Sequence, residues 1–562
     1  MTLRGLIALL PALAPVGSTV VAQTQVSVPR PKLVVVIAID QLRPDYLQRF
    51  RRYFTTGGFS RMLRDGANFT EAHYGHSVTQ TCPGHAVILT GSHARRNGIV
   101  ANSWYNAALR KAEYCAADTL AKLIGAGTEG RSPRNLLDST VGDQLKRATA
   151  GRSRIIAVAG KDRSAVMLGG HLADAAYWTE DTLFVTSSYY MKEMPGWAKR
   201  FNASGAVTRY RGYTWNRLLP AAAYRMVDPD DVAAEENTAG MGRTFPHQVS
   251  AGSENFIAAF QASPFENEVI VDFALDAVTQ GGLGQDEHPD LLALGFSAND
   301  LVGHSYGPDS HEVMDMTLRT DRLLDRFFAA LGNQVDLDSV TVVLTSDHGV
   351  APLPELFRQR NPGTQAGRID PAIIGAAAER ALRARFGAPR RPGWVARPDW
   401  VMHQAWPALY LNLPGLEDKN ISIEEAERIA KEAVERVPGV ERAFTRSELL
   451  RQGKNAAHSR AERSFHPVRS GNIFYELSPY LLPEPQPAGT THGSPWTYDT
   501  HVPLLWFGLG IRPGTHSGAV SIADIAPTLA LLLGIEAPAG SEGRVLREMM
   551  RYPADSTMTA IP

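Results

Sequence analysis

The segment KLVVVIAID, residues 32–40, places seven consecutive apolar residues between a lysine and an aspartate. A continuous apolar run of this kind is typical of a strand that is buried on both faces of a parallel sheet. The chain repeats this pattern in residues 155–161, 291–300, 340–347 and 502–508. Helical patterns separate these segments, over residues 83–89, 314–331 and 522–533. The alternation predicts an α/β fold with a mostly parallel central sheet flanked by helices.

Two long stretches interrupt this rhythm, at about residues 180–265 and at residues 355–480. We interpret both as inserted α+β cap segments, so that the core comprises residues 31–354 and 481–550. The second stretch has a pattern of its own, with strands over residues 408–413 and 471–477 and an amphipathic helix over residues 423–437.

The charges of the 562 residues nearly cancel, because 57 Lys and Arg stand against 58 Asp and Glu, a net charge of −1 with neutral histidines. This balance offers no basic surface for nucleic acid or for an anionic membrane, and we expect neither as a partner. Hydrophobic residues make up 44% of the chain and charged residues 20%, which excludes a disordered protein. We expect a monomer whose partners are small molecules.

Residues 1–22 have the features of a secretory signal peptide. Arg4 precedes a short apolar stretch, and small residues precede Gln23. The stretch is too short to span a bilayer, so we expect a periplasmic or secreted protein without stable membrane insertion. The chain has two cysteines, Cys82 and Cys115, which is too few for a disulfide scaffold. They either form one bridge in an oxidising compartment or remain two buried thiols.

Polar side chains that can bind a metal gather around the predicted strand ends. In an open α/β sheet the carboxyl ends of the strands form the usual ligand site. Carboxylates and imidazoles without thiolates suit Zn²⁺ in a catalytic site. Each fragment is weak evidence alone, but four of them beside separate strand patterns are not expected by chance. The candidate ligands are Asp40, Asp300, His304, Asp347, His348 and His492.

Thr81 is the candidate nucleophile. Pro83 is placed for the first turn of a helix, so Thr81 would lie at a helix N-terminus, where anions are favoured. An ordinary helix cap is the alternative interpretation. Lys161 and Arg163 are two residues apart at the end of a strand pattern and could together bind a highly charged anion, although they could also be solvated. Asn102 could donate an amide hydrogen bond to the same anion or belong to a turn.

The order of the motifs is more specific than any one of them. The chain contains, in sequence, D-Q-x-R-x-D-Y-L from residue 40, T-C-P-G-H from 81, G-I-V-A-N-S-W from 98, V-A-G-K-D-R from 158, D-x-x-G-H-x-x-G from 300, D-H-G from 347 and H-G-S-P-W from 492. This set resembles the alkaline phosphatase superfamily. More narrowly, it is similar to the bacterial zinc alkaline phosphatases with a threonine nucleophile, which are related to nucleotide pyrophosphatase/phosphodiesterases.

The resemblance implies two Zn²⁺ per chain and assigns the ligands. Asp40, Thr81, Asp347 and His348 match the ligands of one zinc. Asp300, His304 and His492 match the ligands of the other. Asn102, Lys161 and Arg163 match residues that bind the phosphate. His85 and His311 match no ligand, and we expect them to pack near the site or to support it.

The activity implied by the resemblance is hydrolysis of phosphate monoesters through a covalent phospho-Thr81 intermediate with two-metal catalysis. The paired cations Lys161 and Arg163 are typical of the monoesterases in this superfamily. A phosphodiesterase or nucleotide pyrophosphatase on the same site is the principal alternative. A metal-dependent phosphomutase and a non-catalytic zinc-binding protein are weaker alternatives, since an exported protein with an intact nucleophile suits neither.

Overall fold

The computed structural model describes residues 29–250, 252–389, 399–451 and 455–551. The predicted signal peptide, residues 1–22, lies outside the described residues. Within the described part of the chain, we find no helix that combines the length and apolar character needed to cross a bilayer.

The strands, in chain order, are β1 (Leu33–Ile39), β2 (Ala67–Phe69), β3 (Ala72–His73), β4 (Ser103–Asn106), β5 (Lys111–Tyr114), β6 (Leu123–Ile124), β7 (Ile155–Ala159), β8 (Ala175–Glu180), β9 (Leu183–Ser187), β10 (Thr214–Trp215), β11 (His247–Gln248), β12 (Asp290–Phe296), β13 (Val340–Thr345), β14 (Gly367–Arg368), β15 (Val401–Ala405), β16 (Ala408–Leu411), β17 (Val440–Thr445), β18 (Ile473–Leu477), β19 (Leu481–Leu482), β20 (Leu504–Gly508), β21 (Gly514–His516) and β22 (Val520–Ser521).

The α-helices are α1 (Tyr46–Arg49), α2 (Phe59–Asp65), α3 (Thr81–Thr90), α4 (Ala94–Asn97), α5 (Val141–Ala148), α6 (Asp162–Gly169), α7 (Gly196–Ala203), α8 (Ser253–Gln261), α9 (Pro264–Gly281), α10 (Ala298–Tyr306), α11 (His311–Gly332), α12 (Pro354–Arg360), α13 (Ala372–Phe386), α14 (Leu413–Asp418), α15 (Ile423–Glu435), α16 (Arg446–Leu449), α17 (Ala456–Ser464), α18 (Thr497–Thr500) and α19 (Ile525–Leu533).

A ten-stranded sheet forms the centre of the molecule, in the order β21-β2-β20-β13-β1-β12-β7-β8-β9-β6. The five strands from β13 to β8 are parallel to one another. Strands β20 and β9 pair antiparallel with the two sides of this parallel block. The predicted α/β fold with a mostly parallel central sheet and flanking helices is confirmed.

The apolar run of residues 33–39 is continuous because both faces of strand β1 are buried. Leu33, Val35 and Ile37 belong to one hydrophobic core, whereas Val34 and Val36 belong to a second core on the opposite face. Helices cover both faces, so no residue of β1 meets solvent. This double burial is the reason why β1 reads as seven apolar residues without alternation.

The last predicted strand of the core runs in the direction opposite to its neighbour. Residues 502–508 contain β20, as expected, but β20 is antiparallel to β13 and to β2. Leu505 pairs with Leu344 near the end of β13, so the beginning of β20 lies at the carboxyl edge of the parallel block. This direction brings the chain before β20, which contains His492, to the same edge.

Residues 399–477 contain a separate small sheet, in the order β15-β16-β18-β17, with antiparallel pairs throughout. Helices α13 and α15 pack against each other and share a hydrophobic cluster of their own with this sheet. The two strands and the amphipathic helix expected in this stretch correspond to β16, β18 and α15. Residues 183–187 form β9 inside the main sheet, and aromatic residues of the following segment, such as Trp215 and Tyr224, pack into the main core.

Helix α3 lies unusually close to the end of β13. All ten of its residues are buried. A Cβ atom placed on Gly84 would lie 2.2 Å from the carbonyl oxygen of Asp347, closer than real carbon and oxygen atoms approach. The glycine in the T-C-P-G-H motif therefore permits the contact between this helix and the turn that follows β13.

We expect Gly84→Ala to lower the free energy of unfolding by about 1–3 kcal/mol, because the added methyl group forces the helix and the turn apart. Chemical denaturation of the purified protein measures the change. Gly518→Ala is the control, because a Cβ atom at Gly518 meets no atom within 4 Å. Equal midpoints for Gly84→Ala and the wild-type protein would contradict the packing argument.

Candidate active site

Three aspartates meet at the carboxyl edge of the three neighbouring strands β13, β1 and β12. Asp40 directly follows β1, and Asp347 comes two residues after the end of β13. Asp300 follows β12, and all three side chains are buried. The strand order places the three chain segments side by side, so carboxylates that are far apart in sequence share one pocket.

Asp300 does not lie at a strand end as expected. Strand β12 ends at Phe296, and Asp300 is the third residue of α10. His304, one helical turn later, has its Nε2 atom 3.2 Å from Asp300 Oδ1, so the two candidate ligands share one face of α10. His492 Nε2 lies 3.6 Å from the same oxygen. The donor atoms of Asp300, His304 and His492 lie within 4.8 Å of one another.

A second group of donors adjoins the first. His348 Nε2 lies 3.1 Å from Asp347 Oδ2. His85 lies between two carboxylates, 3.4 Å from Asp40 Oδ1 through Nε2 and 3.4 Å from Asp347 Oδ2 through Nδ1. The donor atoms of Asp40, His85 and Asp347 lie within 4.8 Å of one another. The rings of His348 and His492 stack with centroids 3.4 Å apart, which connects the two groups.

The histidines of the site are oriented by backbone carbonyl groups. His304 and His492 each place Nδ1 2.7 Å from a carbonyl oxygen, that of Thr490 and that of Thr79, respectively. His348 Nδ1 lies 3.0 Å from the carbonyl oxygen of Gly349. A ring that donates Nδ1–H to a carbonyl presents the lone pair of Nε2 on its other side. This arrangement is typical of histidines that bind a metal ion.

Without a metal ion, Lys161 and protons on neighbouring groups compensate the negative charge of the three aspartates. Burial raises the pKa of Asp40, and the neighbouring Asp347 raises it further. Burial opposes ionisation of His348, but Asp347 outweighs it and raises the pKa of His348 to about 9. Asp40 Oδ1, Asp347 Oδ2 and His348 Nε2 are buried and lie near charged or titratable neighbours, but among the described residues none of the three makes a hydrogen bond of good geometry. These orphaned atoms fit divalent metal ions, which would compete with protons for them and would therefore bind less tightly as the pH falls.

Lys161 supplies the positive charge closest to the carboxylates. Its Nζ atom lies 3.1 Å from Asp40 Oδ2 and 2.5 Å from Asp300 Oδ2. Burial alone would raise the pKa of Asp300, but His304 and Lys161 hold it well below its usual range. Lys161 thus lies inside the predicted metal pocket, next to the residues expected to bind the ions.

Gln41 connects the two groups of donors and was not predicted. Its backbone N–H donates to Asp347 Oδ1 at 3.1 Å, and its side-chain amide donates to Asp300 Oδ1 at 2.6 Å. The residue adopts a left-handed backbone conformation, with φ 63°, which costs energy for a residue other than glycine. A Cβ atom on Gly303 would lie 1.7 Å from the Gln41 amide oxygen. The glycine of the D-x-x-G-H motif therefore leaves the space that Gln41 fills.

Thr81 begins α3, as predicted, and lies one helical turn before His85. His85 Nδ1 is 3.0 Å from the Thr81 carbonyl oxygen, so the nucleophile candidate adjoins the second group of donors. The backbone of Cys82 donates to Asn102 Oδ1 at 2.9 Å. Since the oxygen of the Asn102 amide is used in this way, its NH₂ group remains the donor for an anion beside Thr81.

A disulfide fixes the position of Asn102 relative to the helix. Cys82 and Cys115 are joined, with Cα atoms 6.6 Å apart, which resolves the two possibilities left open by the sequence. The backbone N–H of Cys115 donates to the Asn102 carbonyl oxygen at 2.9 Å. The covalent bond thus ties the residue after Thr81 to the end of the β4–β5 hairpin.

Arg163 is held by the same hairpin. Tyr114, the residue before Cys115, donates its hydroxyl to Asp162 Oδ1 at 2.6 Å and lies 3.4 Å from an Arg163 guanidinium nitrogen. Arg131 Nε donates to the other oxygen of Asp162 at 2.5 Å. The Nε–H of Arg163 is buried and finds no acceptor among the residues that the structure describes, which leaves a donor for a ligand. Tyr114 and Asp162 hold the Arg163 guanidinium group in place, a role that no sequence pattern predicted.

His311 lies outside both groups of donors. It lies 3.1 Å from Asp230, and the Nε atom of Arg217 is 3.2 Å from its Nδ1 atom. His85, in contrast, contacts two of the predicted ligands. The spacing of four residues between Thr81 and His85 places both on one face of a helix, and this spacing could have indicated that His85 lies beside the candidate nucleophile.

The arrangement of carboxylates, imidazoles, a helix-terminal threonine and two cations has known relatives. The model of the type I phosphodiesterase/nucleotide pyrophosphatase family matches residues 34–470. The chain therefore belongs to this family, within the alkaline phosphatase superfamily, and the predicted membership is confirmed.

Curated relatives match over nearly the whole chain. Alkaline phosphatase PhoV of Synechococcus elongatus is 32% identical over 546 residues, which cover 93% of this chain and 94% of PhoV. Alkaline phosphatase PafA of Elizabethkingia meningoseptica is 32% identical over 539 residues, and the match covers 94% of this chain and 96% of PafA. The crystal structure of wild-type PafA superimposes with a TM-score of 0.87 and covers 93% of this chain and 100% of that chain.

We expect His492→Ala and Asp40→Asn each to lower the metal content of the protein, because each removes a donor from one of the two groups. Zinc-loaded samples, dialysed against buffer and analysed by elemental mass spectrometry, measure this loss. The affinity should fall by a factor of about ten or more. His311→Ala is the control and should keep the wild-type content. Unchanged zinc in His492→Ala and Asp40→Asn would contradict the metal assignment.

Proposed function

We propose that the protein is an exported, zinc-dependent alkaline phosphatase that hydrolyses phosphate monoesters through a phospho-Thr81 intermediate. Two zinc ions per chain would be held by the residues around the carboxyl edge of the sheet. Asp40, Asp347, His348 and Thr81 would hold one ion, and Asp300, His304 and His492 would hold the other. In this proposal the enzyme is a monomer and its substrates are small molecules.

One observation supports this proposal more than any other. The two groups of metal donors, Lys161 and the start of helix α3 adjoin one another, and helix α6, which carries Arg163, packs against α3, although these residues come from segments between residues 40 and 492. A nucleophile beside a metal pocket and cationic donors is what phosphoryl transfer requires, because positioning and charge stabilisation supply most of its catalysis. The names of PhoV and PafA agree with this activity.

Thr81 attacks the phosphorus atom in the proposed reaction. A threonine hydroxyl is a weak nucleophile at neutral pH and must be activated. When bound, the zinc ions supply Lewis acidity that lowers the pKa of coordinated hydroxyl groups and neutralises charge on the leaving oxygen. The Thr81 oxygen then forms a bond to phosphorus as the bond to the leaving oxygen breaks. Water releases phosphate from Thr81 in a second in-line step, so that two inversions give retention at phosphorus.

The non-bridging phosphoryl oxygens are bound by Asn102, Lys161 and Arg163 in this proposal. Arg163 offers a planar guanidinium group that Tyr114 and Asp162 hold in place. Asn102 offers its NH₂ group next to the start of α3. Lys161 is paired with Asp40 and Asp300, so its ammonium group turns to a substrate oxygen only when another cation neutralises those carboxylates. Metal binding and phosphate binding are therefore linked through Lys161.

Hydrolysis of phosphodiesters on the same site is the second candidate function. The family description, type I phosphodiesterase/nucleotide pyrophosphatase, favours it. A diester carries one negative charge on its non-bridging oxygens and a second ester group, whereas a monoester dianion carries two charges. Two cations aimed at those oxygens give the larger benefit to the dianion, which is why we place monoesters first.

Export of the protein is part of the proposal. The Cys82–Cys115 disulfide supports it, because such bonds form and persist in the periplasm or outside the cell. The sequence of residues 1–22 supports it independently.

We expect Thr81→Ala to lower kcat/KM for an aryl phosphate by about a thousandfold or more, since no other hydroxyl replaces the nucleophile. Thr81→Ser keeps the hydroxyl and should remain within about tenfold of the wild-type protein. Steady-state kinetics with zinc supplied measure both variants, and zinc content checks that the metal pocket is intact. Full turnover by Thr81→Ala with normal zinc would exclude the covalent intermediate.

We expect Arg163→Ala and Lys161→Ala to reduce kcat/KM for an aryl phosphate monoester by about a hundredfold, and to reduce it much less for an aryl phosphodiester. Parallel rate measurements on both esters compare the loss of kcat/KM for the monoester with the loss for the diester. Zinc content is recorded for Lys161→Ala because Lys161 contacts two predicted ligands. Arg209→Ala, which removes a surface arginine paired with Asp272, is the control. Equal losses on the two esters would favour the diesterase instead.

A further inference from the structure

A third group of potential metal donors lies outside the catalytic pocket. Glu71, His73 and His501 each place one donor atom so that the three atoms lie within 4.8 Å of one another. His73 Nε2 is 3.5 Å from Glu71 Oε2, and the rings of His73 and His501 stack with centroids 4.5 Å apart. The group is partly exposed, with His73 at 31% and Glu71 at 52% side-chain exposure, so ions from solution reach it directly.

Pairing between neighbouring backbone segments fixes the chain that carries these side chains. His73 belongs to β3, and Glu71 comes two residues before it, with its backbone carbonyl accepting a hydrogen bond from the Val520 N–H at 2.9 Å. His73 faces His501 across an antiparallel bridge, and the Tyr74 and Val502 N–H groups bond across the same two segments. The position of the three donors is therefore set by the fold and not by a flexible loop.

His501 also has the outer contact that metal-binding histidines usually have. Its Nε2 atom lies 2.8 Å from the carbonyl oxygen of Thr70, which fixes the ring. Two imidazoles and one carboxylate are the donor set of many zinc sites, and they suit a borderline metal ion much better than Ca²⁺ or Mg²⁺, which prefer oxygen. Solvent can complete the coordination, because the site is open to water.

We propose that Glu71, His73 and His501 bind one additional zinc ion, which joins the two segments beside the catalytic pocket. The first segment continues through residues 74–80 to Thr81. The second is the continuation of the chain from His492. A metal ion between them links the chain that presents the nucleophile to the chain that presents a catalytic ligand, and so stabilises both without contacting the substrate.

The test compares zinc content and stability. His73→Ala and His501→Ala, loaded with zinc and then dialysed, should each contain about one zinc ion per chain less than the wild-type protein, because two of three ligands cannot hold the ion. Glu71→Gln should bind the ion at least about tenfold more weakly. His288→Ala is the matched control, since His288 lies 3.6 Å from a single acidic residue, Glu287, and should keep the wild-type content.

Activity and crystallography separate this site from the catalytic ions. Excess zinc should raise the melting temperature of the wild-type protein more than that of His73→Ala, while kcat/KM with zinc supplied stays the same in both. Crystals of the zinc-loaded wild-type protein should give an anomalous zinc peak between the three side chains. Equal zinc content in His73→Ala, His501→Ala and the wild-type protein, or the absence of that peak, would overturn the proposal even if the catalytic assignment holds.

Discussion

The concentration of buried negative charge at one edge of the sheet is the constraint on which the site depends. Asp40, Asp300 and Asp347 are all buried, and neighbouring carboxylates repel one another strongly in a medium of low dielectric constant. Lys161 and the histidines compensate part of this charge. Protons can compensate the rest, and divalent cations would compete with them for the same atoms, so an arrangement that is unfavourable in an ordinary core is suited to metal ions here. The rest of the molecule holds these groups together against their repulsion.

The fold achieves this with rigid elements for the metal donors and a braced hairpin for the anion donors. Three adjacent parallel strands deliver the aspartates, and backbone carbonyls orient the imidazoles. The proposed anion donors instead depend on the Cys82–Cys115 disulfide, which connects α3 to the hairpin carrying Tyr114. The hairpin contacts both Asn102 and Arg163, and the disulfide joins this hairpin to the residue after Thr81. A geometry that is fixed before the substrate arrives loses little entropy on binding.

The sequence predicted the sheet, and it pointed to side chains that meet at the carboxyl edge of that sheet, because a strand buried on both faces leaves a continuous apolar run with polar residues after it. It could not predict the direction of β20, since the apolar pattern of a strand is the same in either direction. It did not separate Asp300 from the strand before it, because the helix α10 continues the buried segment with little change in character. His85 was expected to pack near the site, and it lies between Asp40 and Asp347 one helical turn after Thr81. Gln41 and Tyr114 act through contacts with residues more than forty positions away, which no local pattern records.

The insertion of β20 between β2 and β13 has a consequence for biosynthesis. In the described part of the chain, strand β2 pairs in the main sheet only with β20 and β21, which lie more than four hundred residues later in the sequence. Until those strands are available for pairing, β2 has no edge on which to dock, and the segment that leads from β2 to Thr81 lacks this support. Long-range pairing of this kind is slow and leaves apolar surface exposed in the meantime. Completion of the polypeptide is therefore a precondition for catalysis, and a truncated product would be left with most of a sheet and no working centre.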